Sequence, residues 1–220
     1  MGGVFNYVNL HVYHYAGNNP VRYEDPNGKA DRDTHLGDES MGTYAWAIDR
    51  GFNPTQAERI ANACNGVDSL SSGIGPFPGI GDQGYHFNTI TGSKSGTWQD
   101  SRIMNTQIHL IIAISFKGNA IAFGLNTLIG EYFYNKALDE LGKALHPIQD
   151  VFFHTDNVVH GVGIYWHSPF SGVDSIKRTK SVDGAADASK RVMDMFNNGA
   201  IDWQHDVWNP RDKYEGFNDL

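Results

Sequence analysis

His146, Asp150 and His154 recur at steps of four along the run from Leu141 to Asn157. On a helix such residues form one stripe that drifts by about 40° per step. An imidazole and a carboxylate four residues apart can grip a single cation, or two cations a few ångströms apart. Zinc suits them best, because it accepts nitrogen and oxygen donors in tetrahedral or five-coordinate shells. The competing reading is a pair of surface His–Asp contacts worth a few tenths of a kcal/mol each. His35, Asp68, His86, His160 and His167 supply further donors of the same types, each near an expected helix end or in a loop. Cys64 is the one cysteine, so disulfide scaffolds and zinc–thiolate fingers are excluded and a metal falls to imidazole and carboxylate. No Gly-x-Ser-x-Gly motif is present, and Cys64 sits on an apolar helix face, which gives covalent nucleophile chemistry little support.

These residues need elements to carry them. Leu138, Leu141, Leu145, Ile148 and Phe152 make an apolar stripe offset from the histidine–aspartate stripe. One helix can therefore bury leucines while pointing ligands into a cleft. Pro147 predicts either a kink in that helix or a fresh helix start near His146. Upstream, Ser40 to Arg50 predicts a helix ending at Gly51. Asn53, Pro54 and Gln56 form a start signal for the next, and Ala57, Ile60, Ala61, Cys64 and Val67 keep helical spacing. Residues 69–100 are rich in Gly, Ser and Pro and predict loop. Two apolar helices are expected over Ile103–Phe116 and Ile121–Tyr134, and a last one over Ala185–Asn197. From Met1 to about Lys29 the chain changes character: Leu, Val and Tyr recurring over Leu10 to Tyr15 before Gly17-Asn18-Asn19-Pro20 predict a strand and a turn, and Asp25-Pro26-Asn27-Gly28 a second turn.

Composition bounds the class. With 220 residues, 40% apolar and 19% charged, the chain is globular and long enough for one well-buried core plus a short appendage. The net charge of −8 argues against a broad nucleic-acid surface built on Lys and Arg, although bound divalent cations reverse the field within a site. No run reaches the roughly 18–20 apolar residues of a membrane span, and a secretory signal pattern is not visible at the start.

Two resemblances organise these residues. The segment Asn9-Leu10-His11-Val12-Tyr13, Asn18-Asn19-Pro20 and Asp25-Pro26-Asn27-Gly28 closely resembles the end of an Rhs/YD-repeat core, with His11 where that family has Tyr. The resemblance implies that residues 1–29 close a repeat shell and that 30–220 are the effector (toxin) domain, secreted or delivered to a target cell as part of a larger protein and countered by an immunity protein. The run Leu141-Gly142, Ala144-Leu145-His146, Asp150, His154 and Asn157 is similar to the core motif of the zinc-dependent phospholipase C and single-strand nuclease superfamily. Thr34-His35, Gly42-Thr43-Tyr44-Ala45, Arg50-Gly51-Phe52, Val67-Asp68 and Tyr85-His86-Phe87 extend the likeness over most of residues 34–157.

That likeness implies an all-α, multi-helix bundle with a short β/turn N-terminal segment, two or three zinc ions, and hydrolysis of a phospholipid or nucleic-acid phosphodiester. Position by position it makes His35 the early ligand, Asp68 the bridging and catalytic aspartate, and His86 the mid-chain ligand. His146, Asp150 and His154 complete the motif. His167 with Asp174 stands for a closing pair that is not cleanly present, with His160 as rival. Tyr44, Tyr85 and Trp166 are candidates for the substrate pocket. Two other readings stay open: a nuclease of the same superfamily, and a non-catalytic helical interaction domain stabilised by metal.

Overall fold

The computed structural model describes residues 34–69, 72, 83–86, 99–153 and 179–202. The strand and turns expected over residues 1–29 lie outside the described residues. So do His154, His160, His167, Asp174 and Trp166. Among the described residues the structure is helical and contains no strand.

Five helices follow in order: α1 (Thr43–Asp49), α2 (Pro54–Asn65), α3 (Ser101–Phe123), α4 (Leu128–Phe153) and α5 (Thr179–Asn198). Among the described residues, the 3-10 turns Gly66–Asp68 and Gln83–Tyr85 come between α2 and α3. Helix α2 begins as its sequence demands. The Asn53 side chain accepts from the Gln56 backbone N–H at 3.0 Å, and the Gln56 side chain accepts from the Asn53 N–H at 3.0 Å, while Pro54 occupies the first turn, where its missing donor is harmless.

Helix α4 is the hub and packs against α2, α3 and α5. Its stripe of Leu138, Leu141, Leu145, Ile148 and Phe152 is buried and joins a core with Ile60, Leu110, Val192, Met193 and Phe196. The join to α2 is unusually tight at Gly142. A Cβ there would lie 2.4 Å from the Ile60 carbonyl oxygen and 2.6 Å from the Ala63 Cβ, so only glycine lets the two backbones approach this closely.

Several boundaries differ from expectation. The two apolar segments expected over Ile103–Phe116 and Ile121–Tyr134 are not two helices with a break near Lys117. Helix α3 runs through Gly118 to Phe123, and α4 continues from Leu128 through the leucine stripe as one helix of 26 residues. Gly118 costs an exposed helix only about 1 kcal/mol. The real stop is Gly124, at φ 85°, followed by Thr127, whose hydroxyl accepts from the Gly130 N–H at 3.0 Å and so caps α4. Helix α4 also passes uninterrupted through Pro147; His146 and Asp150 therefore share one continuous helix, and no new start occurs there. Helix α1 begins at Thr43 rather than Ser40, and α5 begins at Thr179 rather than Ala185.

A candidate metal centre

Three separate stretches bring their polar side chains to the C-terminal half of α4. His35 comes from the loop before α1. That loop is held by the Thr43 N–H donating to the Thr34 carbonyl at 3.0 Å and the Tyr44 N–H donating to the Leu36 carbonyl at 3.2 Å. Gly37 and Gly42, both at positive φ, pack backbone on backbone where a Cβ on Gly42 would sit 2.4 Å from the Gly37 Cα. Asp68 ends the 3-10 turn after α2. His86 directly follows the 3-10 turn Gln83–Tyr85. His146 and Asp150 stand one helical turn apart on α4, as their spacing requires.

The donor atoms converge. His146 Nε2 lies 3.0 Å from His86 Nδ1, 3.2 Å from Asp150 Oδ2 and 3.6 Å from Asp68 Oδ1. His86 Nδ1 lies 3.1 Å from Asp150 Oδ2 and 3.5 Å from Asp68 Oδ1. On the far side of the same carboxylate, His35 Nε2 is 3.1 Å from Asp150 Oδ1. The His35 and His146 rings stack with centroids 4.0 Å apart. Asp150 thus reaches His35 with one oxygen and the His86–His146 pair with the other.

The surrounding bonds decide which ring atoms face inward. His146 Nδ1 is 3.0 Å from the Cys64 carbonyl oxygen. A carbonyl only accepts, so Nδ1 carries the proton and Nε2 is the atom presented to Asp68, Asp150 and His86. His35 Nδ1 is 2.7 Å from Gln149 Oε1. The Gln149 amide is oriented by its nitrogen, which donates to Thr43 Oγ1 at 2.8 Å and Ser189 Oγ at 3.0 Å. Both imidazoles are therefore backed by oxygen acceptors, the arrangement that sets tautomer and ring orientation behind a metal.

His35, His86, His146, Gln149 and Asp150 are all fully buried. Two carboxylates facing imidazole nitrogens in that setting need positive charge between them. Burial and His35 both work against protonating His146, but Asp150 and Asp68 outweigh them and push its imidazole well above the ordinary range. Burial likewise opposes ionisation of Asp68, yet His146 and His35 pull its carboxyl below the usual carboxylate range. A proton or a metal cation would meet the same demand. Geometry favours the metal: bonds of about 2.0 Å in a tetrahedral shell put neighbouring ligand atoms about 3.3 Å apart. The separations of the His86 and His146 ring nitrogens from each other and from the Asp68 and Asp150 oxygens span 3.0 to 3.6 Å. Asp68, His86 and His146 form a group whose ligand atoms lie within 4.8 Å of one another. Asp68 Oδ1 is buried with no hydrogen bond among the described residues. The residues present fit a divalent cation.

Cys64 adds a donor that the sequence reading had set aside. With His35 and His146 it makes a second group of possible ligands. Its thiol, however, meets His35 at the Nδ1 edge, 3.9 Å away, where Gln149 already accepts. The carboxylate side is the better cation site. Burial would raise the Cys64 thiol, but His146 and His35 beside it bring it below its ordinary value.

Of the candidate pocket residues, Tyr44 packs against the hydrophobic core, and Tyr85 places its hydroxyl 2.6 Å from His109 Nε2. Sequence reasoning overlooked Gln149, Thr43, Ser189 and His109. Gln149 stands three residues after His146 and one before Asp150, so its place on the helix face was a usable signal. Thr43, Ser189 and His109 carried none, because only packing of α1, α5 and α3 on α4 brings them near. No protein-family model, curated protein or solved structure matches this chain.

Proposed function

We propose that this chain is a zinc-dependent phosphodiesterase, similar to the phospholipase C and single-strand nuclease superfamily, borne as the effector of an Rhs-type protein. The observation that carries the reading is the inward face of His146. Its Nδ1 is committed to the Cys64 carbonyl, and its Nε2 meets Asp150, Asp68 and His86 within 3.6 Å.

In this reading His146, His86, Asp68 and Asp150 would hold zinc, and His35, which faces the other oxygen of Asp150, would add a further donor. Zinc supplies Lewis acidity toward phosphoryl oxygens and acidifies water at neutral pH. Asp68 is the carboxylate suited to proton transfer, because its side chain is 25% exposed while that of Asp150 is fully buried. With Oδ1 turned toward His86 and His146, its other carboxylate oxygen would orient the attacking water and accept its proton. Asp150, held between His35 and His146, keeps the ligand set in register. The substrate is a phosphodiester of a phospholipid or of a nucleic acid. Among the described residues no helix is long and apolar enough to cross a membrane.

The full burial of His35, His86, His146 and Asp150 favours a second reading. Closed ligand sets are the mark of structural zinc, and a metal-stabilised interaction domain would have one. Elemental analysis of purified protein, with assays on phosphatidylcholine and single-stranded DNA, separates the two. Bound zinc with turnover supports the enzyme; bound zinc without turnover on either substrate supports the structural domain. A His146→Ala/Asp150→Ala variant is expected to lose both metal and turnover, and turnover retained in that variant discards the site.

A further inference from the structure

Tyr85 and His86 are consecutive but engage different neighbours. The Tyr85 hydroxyl lies 2.6 Å from His109 Nε2 on α3. His109 Nδ1 lies 2.5 Å from Glu140 Oε2 on α4, and Lys143 donates to the other Glu140 oxygen at 2.8 Å. His86, the next residue, turns instead to Asp150, Asp68 and His146. Tyr85 and His109 are 8% and 9% exposed, so this chain of bonds is largely shielded from water. Burial alone would raise the Glu140 carboxyl, but hydrogen bonds from His109 and Lys143 hold it down to about 2. An ionised Glu140 accepts a hydrogen bond from the His109 Nδ1–H, which leaves Nε2 to accept from the Tyr85 hydroxyl.

We propose that the Tyr85–His109–Glu140 chain is a positioning device for His86 in the metal centre; the proposal rests on the metal reading above. A 3-10 run of three residues has poor hydrogen-bond geometry and little rigidity of its own. Gln83–Tyr85 is such a run, and His86 hangs from its end. Tyr85 closes the 3-10 turn and is gripped by His109 of α3, itself held by Glu140 of α4, while His86, the next residue, faces Asp68, Asp150 and His146. Helix α4 carries Glu140, His146 and Asp150 together and so serves as the common ruler for both grips. The contacts of His86 with Asp68, Asp150 and His146 are with groups that would rearrange when a cation leaves. Those of Tyr85 are not, so they hold His86 near its binding position before metal arrives and reduce what binding must spend on ordering.

Tyr85→Phe removes the hydroxyl and keeps the ring. Zinc affinity of the full chain, measured by competition with a chromogenic chelator, is compared for wild type, Tyr85→Phe, His86→Ala and the double variant. Tyr85→Phe is expected to weaken zinc binding by about 10–100-fold, as loss of outer-sphere support does. In the His86→Ala background the same substitution is expected to change little, because Tyr85 acts through His86. The visible spectrum of the cobalt-loaded Tyr85→Phe protein should shift toward that of His86→Ala. His109→Leu should reproduce Tyr85→Phe. Wild-type affinity in Tyr85→Phe, or an equal loss in both backgrounds, overturns the positioning role alone. A wild-type chain that takes up no zinc overturns the metal reading and this proposal with it.

Discussion

His146 Nδ1 donates to the Cys64 carbonyl oxygen across 3.0 Å, and that bond ties the ligand helix α4 to the last turn of α2. Both residues are fully buried. The contact exists because Gly142, one turn earlier on α4, lies against Ile60, Ala63 and the Cys64 backbone with no room for a Cβ. Helix contact and ligand orientation are thus one feature of the chain, and disturbing the first disturbs the second.

Gly142→Ala should report that coupling. Its Cβ would fall 2.4 Å from the Ile60 carbonyl oxygen and 2.9 Å from the Cys64 nitrogen, both backbone atoms. Forced separation of packed elements costs about 1–3 kcal/mol. Urea unfolding should show a loss of that size together with weakened zinc uptake. Unchanged stability would mean that α2 and α4 are not this close.

Zinc should stabilise the folded chain. At a free concentration of about 1,000 times Kd the gain is roughly 4 kcal/mol. Thermal unfolding with added zinc and with a chelator measures it. Protons compete for the same imidazole nitrogens, and Asp150 and Asp68 make His146 hold its proton well above the ordinary histidine range, so the gain should already shrink before pH falls into that range. A melting temperature indifferent to both zinc and chelator would remove the case for a centre built on His86 and His146.

Gln149→Leu tests the support behind His35. The change strips the acceptor from His35 Nδ1 and the donor from Thr43 and Ser189. Leaving buried polar groups unsatisfied costs about 1–3 kcal/mol, and a lost outer-sphere partner weakens metal binding about 10–100-fold. Isothermal titration with zinc alongside chemical unfolding reads both effects. A variant that binds zinc as wild type does would show that His35 needs no fixed orientation.

The pH dependence of stability should carry the mark of Glu140. Its carboxyl is held at about 2, below the ordinary 4.5. A folded value below the unfolded one gives stability that is fully present above the unfolded pKa and lost as pH falls through the folded one. Wild type should therefore lose stability between about pH 4.5 and 2 more steeply than Glu140→Gln does. Parallel stability curves for the two proteins across that window would contradict the bond from His109.

How much of this could be read from the chain follows the range of each interaction. The four-residue spacing of His146 and Asp150, the leucine stripe of α4 and the Asn53 cap of α2 are local, and each appears in the structure as its sequence required. The break between α3 and α4 was misplaced because Gly118 is a plausible stop on propensity alone. The structure stops instead where Gly124 and Thr127 together supply a positive φ and a cap. The nomination of His35, Asp68 and His86 came from residue type and family likeness, and only the packing of separate segments on α4 brings their ring nitrogens and carboxylate oxygens within 3.6 Å. Tautomer, the bridging place of Asp150, and the backing by Gln149 and Cys64 belong wholly to the tertiary structure. The physical reason is distance along the chain: bonds within a helical turn follow from backbone geometry, whereas His35 meets Gln149 across 114 residues, and nothing local encodes that meeting.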